Sequence, residues 1–216
     1  MSTIGFIGSG NIGGQLARLA VAHGHQVVMS NSRGPHTLTE LVNELGDAAR
    51  AGTVTDAATD GDIVVVTVPL AAIATIPVEP LHGKTVIDTN NYYFERDGHI
   101  TALDDQNTTV SEILQERLPS SHVVKVFNNI TAASLTTDGT PSGTANRRAL
   151  PVAGDDAESK ATVSALVDQF GFTPVDAGPL NEGWRYERDT PAYGTVQNED
   201  ELIANLAKAT RETATS

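Results

Sequence analysis

The chain has 216 residues, 39% of them hydrophobic, and 27 acidic against 14 basic side chains leave a formal net charge of −13. This length holds one large domain, or one domain and a small lobe, and the acidic balance opposes binding to nucleic acid or to an anionic membrane. With no cysteine, disulfides, thiolate catalysis, iron–sulfur ligation and zinc ribbons are excluded.

The first strand-like run, Ile4–Ile7, leads into Gly8-Ser9-Gly10-Asn11-Ile12-Gly13. Asn11–His23 then reads as a helix, with Ile12, Leu16, Leu19 and Ala20 at helical spacing. Strand, turn and helix are the context in which a G-x-G-x-x-G run holds a dinucleotide. Gly8 permits the tight turn, Gly10 lets a diphosphate approach the backbone, and Gly13 lets the helix pack close to the strand. Free N–H groups between Gly8 and Ile12 and the positive end of the helix dipole face the diphosphate. A strand beginning at residue 3 leaves no room for a signal peptide, and no apolar run approaches the ~18 residues of a membrane span. A cytoplasmic protein is expected.

The second strand, Gln26-Val-Val-Met-Ser30, runs into Asn31-Ser32-Arg33. An NAD-preferring domain places an acid about 20 residues beyond the glycines, for the ribose 2′-hydroxyl. Here Asn31 and Ser32 leave room for a 2′-phosphate, and the planar guanidinium of Arg33 suits that dianion. NADP is therefore favoured over NAD, the alternative being that Arg33 is a solvated loop residue.

Helix-like segments follow at Thr37–Leu45, Val110–Leu118 and Ala157–Phe170, and apolar runs at Ile63–Val68, Thr85–Ile87, Val123–Phe127, Leu150–Val152 and Pro174–Val175. Near-continuous Val/Ile runs suit strands buried on both faces of a parallel sheet. The expected fold is α/β, a Rossmann-type doubly wound and mostly parallel sheet, with residues 1–134 as the NADP-binding domain and 149–216 as a small C-terminal α/β extension that completes the acceptor site. Ligands of such sheets bind beyond the carboxyl ends of the strands. Val68 and Pro69 then wall the nicotinamide end, and Asn90 and Asn128 either bond a carboxamide or substrate carbonyl, or cap turns. Residues 135–148 read as a surface loop, and 181–197, with the single Trp, as an ordered irregular segment. In Asn198–Arg211 a helix capped by Asn198 places Leu202, Ile203 and Leu206 on one face, to dock on its own domain or on a second subunit. No nucleophile–base set and no metal-ligand spacing among the six histidines is visible, so no catalytic residue is assigned and hydride chemistry is left to the nicotinamide. His23 and His25 flank the Gly24 turn and read as surface residues.

The blocks Gly8-x-Gly10-x-x-Gly13, Asn31-Ser32-Arg33, Val68-Pro69, Val86-Ile-Asp88, Val126-Phe127-Asn128 and Ile130 resemble the NADP-binding half of coenzyme F420-dependent NADP oxidoreductases. Leu150–Lys160 and Pro174–Leu180 are similar to that family's small C-terminal part, so the resemblance runs from residue 3 to about residue 180. It implies direct hydride transfer between NADPH and a deazaflavin, F420, without a covalent intermediate. The cytoplasmic domains of membrane ferric reductases share a similar fold and glycine pattern. The chain departs from typical archaeal members after Leu180, where the Trp184–Tyr193 segment and an amphipathic helix replace an apolar tail. The acceptor is accordingly left open between F420, a flavin and a small carbonyl or imine compound, with a homodimer expected. An NADP-sensing regulator is the non-enzymatic alternative.

Overall fold

A computed structural model describes residues 1–211. The strands are β1 (Thr3–Ile7), β2 (Gln26–Ser30), β3 (Ala49–Ala51), β4 (Ile63–Val66), β5 (Thr85–Asp88), β6 (His122–Lys125), β7 (Ala149–Gly154) and β8 (Thr173–Gly178). The α-helices are α1 (Asn11–Ala22), α2 (Thr39–Leu45), α3 (Val54–Asp60), α4 (Phe94–Asp97), α5 (Thr101–Asp104), α6 (Val110–Arg117), α7 (Ala132–Thr137), α8 (Ala157–Gln169) and α9 (Glu199–Lys208). All strands join one sheet in the order β3-β2-β1-β4-β5-β6-β7-β8. The first six run parallel, β7 pairs antiparallel to β6, and β8 runs parallel to β7. This is the doubly wound α/β fold, and the C-terminal segment adds its two strands to the same sheet instead of starting another.

Both faces of the sheet are covered, which is why β4 is buried at every residue of Ile63-Val-Val-Val66. Side chains alternate between faces. Ile4, Phe6, Val65 and Ile87 pack with α1, α7 and α8, while Val64, Val66 and Val86 pack on the other face with α3 and α6. A third cluster joins Ala149, Ala153, Val175 and Tyr186 to Leu202 and Leu206 of α9. Among the described residues no helix is long and apolar enough to cross a membrane.

Four sequence readings change. The third strand, Ala49-Arg-Ala51, and α3 went unseen, because three residues without a β-branched side chain carry no strand signal. The start of α3 was legible: Thr53 and Asp56 form a capping box. Ile203 leaves the stripe. It is 50% exposed, while Leu202, Leu206 and Ala209 (the i, i+4, i+7 positions) are buried. The face of α9 that was to dock on its own domain or a second subunit is thus covered by β7 and β8 of the same chain. The segment 135–148 opens with the end of α7 and closes with Arg147 and Arg148, both buried and ion-paired, to Asp168 and Asp138. Finally His25, read as a surface residue, is buried between Ser2 Oγ and Gln169 Oε1, each 2.9 Å from a ring nitrogen.

Candidate functional site at the carboxyl edge of the sheet

The three fingerprint glycines differ in what surrounds them. Gly8 takes φ +115°, and a Cβ there would stand 2.1 Å from the Thr67 carbonyl oxygen. A Cβ on Gly13 would stand 2.5 Å from the Gly8 carbonyl oxygen and 2.8 Å from Thr67 Cγ2. These two are demanded by the turn and by close helix–strand packing. Gly10 is extended, at φ −73° and ψ −167°, and nothing lies within 4 Å of where its Cβ would be. Its missing side chain serves no internal contact. Gly10 is also the N-cap of α1 and supplies no side-chain cap. The first intrahelical donor is the Gly14 N–H, to the Gly10 carbonyl at 2.9 Å, so the amides of Asn11, Ile12 and Gly13 have no partner within the helix.

At the end of β2, Asn31 organises the turn. Its Oδ1 accepts the Arg33 N–H at 2.9 Å, and its Nδ2 donates to Ser9 Oγ at 3.2 Å and Thr37 Oγ1 at 2.9 Å. Ser32 and Arg33 are exposed, and among the described residues Arg33 forms no ion pair. A cleft of about 280 Å³ brings together Gly8, Ser9, Gly10, Asn31, Ser32, Arg33, Val68 and Pro69. Val54, Ala72 and Ile76 supply apolar walls that sequence reading missed. The Thr53–Asp56 capping box was the signal that could have placed Val54 there. A cleft of about 380 Å³ near His23 and Phe170 lies at the opposite edge, at the carboxyl end of α1, and its Arg147 is already paired.

Asn90 and Asn128 lie at the ends of β5 and β6, outside the lining of the 280 Å³ cleft, and are buried. The Asn128 Nδ2 donates to Asn91 Oδ1 at 3.0 Å and to the Tyr186 carbonyl at 2.9 Å, while Asn91 Nδ2 donates to the Asn128 carbonyl at 2.8 Å. Among the described residues, three buried polar atoms there have no partner: Asn90 Nδ2, Asn128 Oδ1 and Asn129 Oδ1. The turn into this cluster is strained, since Phe127 takes φ +63°, a region that costs a bulky residue about 1–2 kcal/mol. Such strain concentrates at functional sites.

Beneath these asparagines is a buried ionic group. Lys125 and Asp88 are fully buried, 3.9 Å apart, and Lys125 Nζ lies 2.8 Å from Glu187 Oε1. That second contact is a charge contact poorly aligned for a hydrogen bond. Desolvation pushes the Asp88 carboxyl above its ordinary range, opposed by Lys125 and by the Ser111 hydroxyl, which donates to Asp88 Oδ2 at 2.5 Å. Nearby, the Tyr93 and Tyr193 hydroxyls meet at 2.5 Å, and desolvation followed by the Tyr93 contact raises the Tyr193 phenol. The guanidinium groups of Arg185 and Arg211 pack on the Trp184 ring, 4.5 and 4.9 Å from its centroid. Among the described residues no cluster of His, Asp and Glu fits a metal ion.

The sequence model of a family described as NADP oxidoreductase, coenzyme F420-dependent, matches residues 3–92. The metalloreductase STEAP3 of Rattus norvegicus is 32% identical over 184 residues, 82% of this chain and 34% of that protein. The chain spans between 34% and 39% of the length of the curated relatives it matches. Among solved structures, the hypothetical protein SMa0349 from Sinorhizobium meliloti is 30% identical with a TM-score of 0.80, over 93% of this chain and 97% of that one. A candidate F420-dependent NADP reductase from Arthrobacter sp. FB24 is 24% identical with a TM-score of 0.71, over 83% and 86%, a likeness of fold.

Proposed function

We propose that this chain, whose residues 3–92 match the coenzyme F420-dependent NADP oxidoreductase family, transfers a hydride directly between NADP(H) and a deazaflavin such as F420 or a similar flat acceptor. The observation that carries this reading is the cleft itself. It pairs a glycine with empty space at its Cβ position with an arginine that forms no ion pair among the described residues, and no carboxylate stands at the end of β2. In this reading Gly8, Ser9, Gly10, Asn11, Ile12 and Gly13 present the loop and the first turn of α1 to the diphosphate. Ser32 and Arg33 take the 2′-phosphate, with Asn31 holding their turn. Val54, Ala72 and Ile76 cover the adenine. Val68, Pro69, Asn90 and Asn128 frame the nicotinamide.

The unpartnered atoms at β5 and β6 support that last placement. A primary carboxamide carries one carbonyl acceptor and an NH₂ donor. Asn90 Nδ2 matches the first, and Asn128 Oδ1 and Asn129 Oδ1 match the second. The bound dihydronicotinamide supplies the hydride, and the protein binds, orients and excludes water. Residues 1–134 form the NADP half, and 149–216 complete the acceptor site. The homodimer in this proposal rests on Val196, just before α9, and Ile203, on it, which both stay exposed; light scattering tests it. The location in this proposal is the cytoplasm.

Calorimetric titration with NADPH and NADH, followed by NADPH oxidation with F420, FMN, FAD and small carbonyl or imine compounds, tests the reading. Tight NADPH binding with turnover on F420 is expected. Turnover on another acceptor alone moves the substrate class, NADPH binding with no turnover favours an NADP-sensing regulator, and no binding of either nucleotide overturns the reading.

A further inference from the structure

Lys125 is a charge where the sheet pattern calls for an apolar side chain. It follows Val123 and Val124 in β6 and is fully buried. Its stem passes under Gly183, where a Cβ would stand 2.6 Å from Lys125 Cδ. The ammonium then meets Glu187 at 2.8 Å and donates to the Asn90 carbonyl at 3.1 Å, with the Asp88 carboxylate at 3.9 Å. Asp88 Oδ1 in turn accepts the Asn90 N–H at 3.0 Å. The N–H and the C=O of Asn90 are therefore both held by the buried Asp88–Lys125 pair.

The segment after β8 grips the same group. The Tyr186 hydroxyl donates to the Lys125 carbonyl at 3.0 Å, and the Tyr186 carbonyl accepts Asn128 Nδ2 at 2.9 Å. Tyr186 and Glu187 thus tie the C-terminal segment to Asn90 through Lys125 and to Asn128 directly. Buried charges arranged this way add little net stability over apolar residues of the same volume, while removal of one partner strands the others. What the network imposes is geometry.

We infer that Lys125 is a positioning residue, which with Glu187 makes the C-terminal segment set the placement of Asn90 and Asn128 at the nicotinamide end of the site. The inference rests on the proposed position of the nicotinamide. It extends that reading because it assigns the C-terminal segment a role in cofactor geometry as well as in covering the acceptor.

The test compares Lys125→Met, Glu187→Gln and the double variant, in which Glu187 is not left charged without Lys125 and Asp88 keeps the Ser111 hydroxyl and the Asn90 N–H as donors. Two ligands are titrated into each: NADPH, and adenosine 2′,5′-bisphosphate, which reaches only the Arg33 end. Hydrogen exchange of residues 90–91 and 183–194 is followed without ligand. Lys125→Met is expected to lose at least tenfold in NADPH affinity, keep its affinity for the bisphosphate, and exchange those amides at least tenfold faster. The double variant should lose no more than Lys125→Met alone. Equal losses for both ligands, or unchanged exchange in both segments, overturn the inference. If the wild-type protein binds neither ligand, the cofactor reading fails instead, and the exchange result alone decides whether Lys125 holds the two segments together.

Discussion

Replacement of Gly10 by valine separates the two jobs that glycines do in the first turn. Gly10 is extended and has nothing within 4 Å of its Cβ position, so a β-branched residue fits the backbone and the apo stability should move by no more than about 1 kcal/mol, the scale of the N-cap preference for glycine over valine. The same change at Gly8 meets the Thr67 carbonyl at 2.1 Å and forces a side chain onto φ +115°. Even Gly8→Ala should cost about 2–5 kcal/mol from left-handed strain and overpacking together, or roughly 5–15 °C in melting temperature for a chain of this size. In the cleft the order reverses. Valine at position 10 fills the space that the proposed function gives to the diphosphate, and NADPH affinity should fall at least about 100-fold, or ~2.8 kcal/mol. The assay is a thermal melt of apo wild type, Gly10→Val and Gly8→Ala, with calorimetric NADPH titration of the folded variants. A stable Gly10→Val protein with wild-type affinity would refute the placement of the diphosphate. A Gly10→Val protein that melts as low as Gly8→Ala would refute the argument from open space.

Arg33→Ala should weaken NADPH by about 1.5–3 kcal/mol, the scale of a hydrogen bond to a charged group, and leave NADH nearly unchanged; equal losses in parallel titrations would show that Arg33 does not read the 2′-phosphate. Leu202→Ala should destabilise the protein by about 2–5 kcal/mol in urea unfolding, because it empties the cluster under α9, whereas Ile203→Ala should stay within about 0.5 kcal/mol. Asp138 is held below the ordinary carboxylate range by the Thr137 hydroxyl, by its pair with buried Arg148, 2.6 Å away, and by Ser134. Its folded pKa is thus depressed, so the stability it contributes is complete above its unfolded value of about 3.9 and fades as pH falls through the lower folded value. Asp138→Asn should therefore cost about 1–3 kcal/mol at neutral pH, with the gap to wild type closing below about pH 4; a gap that widens on acidification would contradict the pairing.

Much of the fold was written locally. Gly8 reveals itself because only glycine accepts its φ, β4 because four consecutive buried β-branched residues suit a strand covered on both sides, and α9 because Asn198 and Glu201 cap each other within one turn. Arg33 and the missing acid at the end of β2 were legible for the same reason, since the turn they share is built by side chains a few residues apart. Elements whose stability comes from neighbours were not legible. β3 exists because β2 offers it an edge, with Val27 to Met29 paired to Ala49 to Ala51.

The glycine turn, the parallel core, the arginine after β2 and the Asn198 cap of α9 were legible from the chain alone, because each rests on interactions spanning one turn or one strand. Long-range packing set the rest: β7 turns antiparallel onto β6, Leu202 and Leu206 but not Ile203 are covered, and Lys125 is buried against Asp88 and Glu187. Glu187 is 62 positions from Lys125 along the chain. The environment of a charge is set by what surrounds it in space, and no local pattern in β6 records that a carboxylate will arrive from beyond β8.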